Sequence, residues 1–90
     1  MKNTYLVSYD LKKPDRNYQG LFGVLMKFSG WWHFLESTWL IKTEEDANSI
    51  FEKLKPHIDQ DDSLLIIMVH NDYQGQLPKK AWDWINQNIW

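Results

Sequence analysis

The sequence predicts an α+β domain, a ferredoxin-like βαββαβ sandwich with a C-terminal helix, and three observations carry that expectation. Stretches rich in β-branched, aromatic and aliphatic residues recur at Thr4–Asp10, Trp31–Lys42 and Ser63–Val69. Apolar residues at helical spacing fill the intervals between them and the last dozen positions. The chain has 90 residues, room for one domain over 1–90, and no repeat, low-complexity tract or linker divides it.

Thr4–Asp10 alternates, with Tyr5, Val7 and Tyr9 on one face and Leu6, Ser8 and Asp10 on the other. Lys12-Lys13-Pro14-Asp15 breaks this strand with turn chemistry. A helix is expected from about Arg16 to Phe28. Asp15 is its N-cap, and Tyr18, Leu21 or Phe22, Leu25 and Phe28 form its apolar stripe. Gly20 and Gly23 weaken it and suit close packing against a neighbour. Trp31–Lys42 is too long for one ordinary strand, so it reads as two, broken near Glu36 or Ser37.

Thr43 is expected to cap the second helix, with Glu44, Glu45 and Asp46 in its first turn, where the helix dipole favours negative charge. Ala47, Ile50, Phe51 and Leu54 face its core side, and Pro56 stops it. Asp59–Asp62 is a polar turn. Ser63–Val69 is apolar on both faces, the mark of a strand covered on both sides. Leu77-Pro78 opens the last helix, along which Trp82, Ile85 and Ile89 share one side.

Two helices can shield only one face of a four-stranded sheet, yet the strands are apolar on both. The second face must be covered by the last helix, by another copy of the chain, or by both. A homodimer is the expectation that follows. Small size points the same way, because a domain this short buries only about 60–65% of its unfolded surface.

Composition narrows the classes of function. The chain has no cysteine, which excludes disulfides and thiolate metal sites. Its net charge is −2 with a single arginine, Arg16, so the broad basic footprint of a tight nucleic-acid binder is missing. Met1-Lys2-Asn3-Thr4 lacks the apolar core of a secretion signal, and the longest apolar run, Leu64 to Val69, is too short to span a bilayer. A cytoplasmic protein with no membrane partner is expected. Six tryptophans suit an interface, since Trp covers a large area with little flexibility.

Chemistry is sparse. Asp10 ends a strand next to Lys12, Lys13 and Arg16, the one local positive patch and a place where a phosphate could sit. The plainer role for Asp10 is to cap the turn that follows. His33, His57 and His70 lie in different elements without ligand spacing. Asp59, Asp61 and Asp62 lack the glycine and glutamate of a calcium loop. Trp31, Trp32 and Trp39 could stack bases, but without interleaved basic residues they read as packing. Lys79 and Lys80 solvate the last helix. No phosphate loop, nucleophile triad or cofactor fingerprint occurs.

Several of these segments resemble the CRISPR-associated protein two family and its relatives, the virulence-associated protein D type toxins. In that family the first strand ends in a tyrosine-aspartate pair, followed by a loop with arginine. Val7-Ser8-Tyr9-Asp10 and Arg16 are similar. Ser37-Thr38-Trp39 resembles the family's second-strand serine with its apolar and aromatic followers, and Asp62-Ser63-Leu64-Leu65-Ile66-Ile67 its late apolar strand. The resemblance covers about residues 3 to 70. It implies a ferredoxin-like homodimer in which Asp10 is a metal-binding, catalytic carboxylate facing its twin. Tyr9, Arg16 and Ser37 would lie nearby, and Mg²⁺ or Mn²⁺ would be the cofactor. The chain departs from the family in its acidic balance and its helical, tryptophan-rich tail. Similar small proteins carry a SinR regulator label, but no helix-turn-helix is present here. Two functions follow as expectations: a non-catalytic dimeric scaffold that binds nucleic acid or a protein, and a weak metal-dependent nuclease with paired Asp10 residues.

Overall fold

A computed structural model describes residues 2–13 and 18–89. Strand β1 (Asn3–Asp10) leads to helix α1 (Gln19–Leu25), then to the hairpin β2 (Gly30–Leu35) and β3 (Thr38–Thr43). Helix α2 (Ala47–Leu54) runs into a 3₁₀ turn, Lys55–His57. Strand β4 (Ser63–Met68) and helix α3 (Lys79–Asn88) complete the chain. The sheet order is β2-β3-β1-β4 with every neighbouring pair antiparallel, the expected split βαβ arrangement. The hairpin turns at Glu36 and Ser37, where the expected break falls.

Alternation along β1 sets two cores. Tyr5, Val7 and Tyr9 face α1 and α2 and pack with Trp39 and Ile41 of β3 against Leu21, Leu25, Ile50 and Leu54. On the opposite face, Trp32 and Leu40 pack beneath Ala81, Ile85 and Ile89, with Leu6 and Trp84 alongside. Gly30 lies against α3, where a Cβ would stand at an ordinary contact distance of 3.6 Å from Trp84. The Thr4 hydroxyl donates to the Asn88 carbonyl at 2.7 Å and ties the end of α3 to the sheet. Gly20 serves a similar contact, because a Cβ there would crowd the His57 ring at 2.5 Å. Gly23 has open space around it and makes no such contact.

Three expectations need correction. Thr43 does not cap α2. It is buried in the β1–β3 ladder opposite Asn3, and the helix starts three residues later, at an Asp46 cap whose carboxylate accepts from the Ser49 N–H at 2.8 Å. Glu44 and Glu45 therefore precede the first turn, and the Thr43 hydroxyl accepts from the Glu45 N–H instead. Helix α1 is shorter than expected. Tyr18 stands at its N-cap position with no side-chain cap, while Asp15 and Arg16 lie outside the described residues. Pro78 opens α3 as expected, at its N-cap. Lastly, β4 is not covered on both sides. It is an edge strand, and Leu65 and Ile67 are 57% and 52% exposed.

Leu54→Ala removes a fully buried side chain and is expected to cost about 2–5 kcal/mol. Met26→Ala, on the surface, should stay within about 0.5 kcal/mol. Losing the helix cap in Asp46→Ala should cost about 1 kcal/mol. Urea midpoints of the three variants measure the order.

Candidate functional site

The C-terminal end of β1 gathers most of the residues singled out in the sequence. A shallow cleft of about 550 Å³ is lined by Tyr9, Asp10, Leu11, Phe22, Glu36 and Ser37. Ser37 reaches it through the hairpin turn, where its carbonyl accepts from the Tyr9 N–H at 3.0 Å. Tyr9, Asp10 and Ser37 are thus brought together, with Glu36 as a second carboxylate that the sequence reading did not single out.

Beneath the cleft runs an aromatic column. The Trp39 indole N–H donates to the Tyr9 hydroxyl at 2.9 Å, and that hydroxyl donates to the Glu36 carbonyl at 3.4 Å. Phe22 stacks on Trp39 with ring centres 6.2 Å apart, and His33 stacks on the same indole at 4.0 Å. Trp31 tilts against it at 5.4 Å. Burial pushes the Tyr9 phenol above its ordinary value; the Trp39 hydrogen bond opposes this and the Glu36 charge adds to it. Tyr9 is therefore a neutral structural phenol at physiological pH. Trp32 and Trp39 are buried and unable to stack a base, which leaves Trp31 partly exposed at the β2 edge.

The lysines expected to hold a phosphate are engaged with carboxylates. Lys12 lies 2.6 Å from Asp10, whose side chain is 67% exposed. Lys13 lies 2.9 Å from Asp61 and 3.4 Å from Asp59. Hydrogen bonding to Asp10 raises the Lys12 pKa, and bonding to Asp61 raises that of Lys13. Exposed pairs of this kind contribute little stability and exchange readily with other ions. Arg16 lies outside the described residues. Among those described, no group of three or more His, Cys, Asp or Glu side chains could hold a metal.

The firmest polar junction is one the sequence concealed. Asp62 accepts from the backbone N–H of Lys12 and of Asp59, both at 2.8 Å, and from the Tyr18 hydroxyl at 3.1 Å. One carboxylate thereby clasps the residues flanking the β1–α1 connection to the start of β4, across 50 positions of sequence. Nothing local announces such a role. Asp62 looks like one member of an acidic turn until the fold carries Lys12 and Tyr18 to it.

A second feature lies on the sheet face that α3 covers. Residues directly opposite one another in adjacent strands share a face. Leu35, Thr38, Ser8 and Leu65 accordingly form one row across all four strands, and Trp32, Leu40, Leu6 and Ile67 form the next. Helix α3 buries most of the second row but leaves Ile67 and the whole Leu35–Leu65 row outside its cover. Phe34 and Leu35 are each 46% exposed. Between this face, α3 and residues 69–77 runs an apolar groove of about 370 Å³ that His70 also lines. The buried indole N–H of Trp32, beside that groove, has no hydrogen-bond partner.

Partial burial works to raise the Asp62 pKa, but the N–H groups of Lys12 and Asp59, the Tyr18 hydroxyl and the Lys13 charge together hold it below 3.8. A lowered folded-state pKa contributes stability that is complete above the unfolded value and is lost as pH falls through the folded one. Asp62→Asn should therefore be less stable at pH 7 and lose less stability between pH 5 and pH 2 than the unmodified chain. Denaturation curves across that range measure the difference.

No family model, no curated protein and no solved structure matches this chain.

Proposed function

We propose that this protein works by binding, as a homodimeric scaffold that presents its surface to a protein partner. The observation that carries this is the uncovered apolar part of the sheet: Leu65, Ile67, Phe34 and Leu35 stay in water after α3 has docked. Apolar surface left exposed at both edges of this face, with Thr38 and Ser8 between, is the kind that marks association sites. Its two rows contain only apolar and hydroxyl side chains across all four strands, with no lysine or arginine to meet a phosphate. That composition favours a protein over a nucleic acid. The segments resembling the CRISPR-associated protein two family support the same dimeric reading.

A second reading has a specific observation behind it. Asp10 shares the sheet face of Leu6 and Ser8, and the residue lines the same cleft as Glu36. If two copies met face to face at that end, the paired Asp10 carboxylates could supply oxygens to one Mg²⁺ or Mn²⁺. The ion would then activate water against a phosphodiester.

Sedimentation equilibrium at micromolar concentration is expected to show a dimer, and a monomer would overturn the proposal. Short RNA and DNA incubated with Mg²⁺ or Mn²⁺ should survive intact. Cleavage that disappears in Asp10→Ala while the dimer persists would replace the scaffold with the nuclease.

A further inference from the structure

Among the described residues strand β4 has only one neighbour in the sheet, β1, and its other edge is unprotected. Natural edge strands are blunted by charged residues, prolines or bulges. Ser63-Leu64-Leu65-Ile66-Ile67-Met68 contains none of these and pairs with β1 in unbroken register. The other edge is different. In β2 the register shifts between Trp32 and Leu35, which interrupts that side as a template.

The direction of each backbone group on β4 follows from the ladder. The Val69 N–H donates inward to the Thr4 carbonyl at 2.9 Å. Antiparallel pairs alternate between bonded and non-bonded, so Ile67, Leu65 and Ser63 also bond inward to β1. The N–H and C=O groups of Leu64, Ile66 and Met68 therefore point outward from the sheet edge.

We infer that two copies of the chain pair through this edge, β4 against β4 in antiparallel register centred on Ile66, to form one continuous eight-stranded sheet. This rests on the dimeric reading above and names its seam. Ile66 faces Ile66 of the twin and Leu64 faces Met68, so every outward group of both strands finds a partner. A register centred on Leu65 would instead need the Asp62 N–H, which already donates to the Asp59 carbonyl at 3.2 Å. Like-charge placement selects the antiparallel direction. It keeps Asp61 and Asp62 of one strand away from their own copies, opposite Asn71 and His70 of the other, whereas a parallel pair would oppose acid to acid.

Across the seam Leu65 meets Ile67 of the twin, closing an apolar quartet over the two most exposed side chains of the strand. The same geometry separates the Asp10 residues. Each lies opposite Ser63, and the two Ser63 positions are six residues apart along the seam. The carboxylates then stand about 20 Å apart along the strands and about 14 Å across them, too far to share a metal ion.

The absence of native cysteine makes the register directly readable. Leu65 and Ile67 of the twin form a non-bonded pair with Cα atoms about 4.5 Å apart, within disulfide range. Leu65 and its own copy are diagonal neighbours at about 7–8 Å, which is too far. A mixture of Leu65→Cys and Ile67→Cys chains should cross-link on oxidation, while each variant alone should not. Self-linking of either variant alone, or no link in the mixture of folded variants, would overturn the pairing. Hydrogen exchange on the unmodified chain gives an independent check should a variant fail to fold. The Leu64, Ile66 and Met68 amides should be protected in the dimer and lose that protection on dilution. A dimer in which these amides exchange freely sinks the edge seam alone; a monomer sinks the dimeric reading with it.

Discussion

Strand β1 carries apolar side chains on both of its faces, and the molecule is built around the need to cover each. Tyr5, Val7 and Tyr9 look one way and Leu6 the other, on a strand flanked on both sides by neighbours. Helices α1 and α2 cover the centre of the first face and leave the edge positions Trp31 and Met68 partly exposed. One ten-residue helix is left for the second, and it can lie over only part of a sheet four strands wide. It sits above Trp32 and Leu40, toward the β2 edge, so the shortfall appears at β4 and along the Leu35–Leu65 row. Exposed apolar surface is thus a consequence of how much helix the chain contains.

Electrostatics at the Asp10 end work within each subunit. Asp59 and Asp61, in the segment leading into β4, pair with Lys13, Asp10 pairs with Lys12, and Asp62 collects two backbone N–H groups and a phenol. Backbone donors converging on one carboxylate stabilise its charged form more than exposed ion pairs do. The effect is to tie Lys12 and Tyr18, on either side of the β1–α1 connection, to the start of β4. Positive charge that looks available to a phosphate in the sequence is thereby shared with neighbouring carboxylates.

The aromatic residues divide by the same rule. Trp39 lies in a central strand on the covered face and becomes the hub of a stack that includes Phe22, His33 and Trp31. Trp32, one residue further along β2 than Trp31, points to the opposite face and anchors α3. Adjacent positions on one strand thus serve different layers, because side chains alternate. The unpartnered indole N–H of Trp32 is the cost of anchoring a helix with a residue chosen for its area.

Local pattern was sufficient for the element order, the hairpin turn at Glu36–Ser37, the two-faced character of the sheet and the apolar stripes of all three helices, since spacing and turn chemistry act over a few residues. The tertiary structure alone decided that Thr43 stays in a strand and hands the cap to Asp46, because its pairing with Asn3 is non-local. It also decided that Asp62 is a clasp, since two of its three donors lie 44 and 50 positions away. The exposure of β4 belongs to the same class. A run such as Leu64–Met68 reads as buried on composition alone, and only the strand order places it at an edge with an open face and a free row of backbone groups.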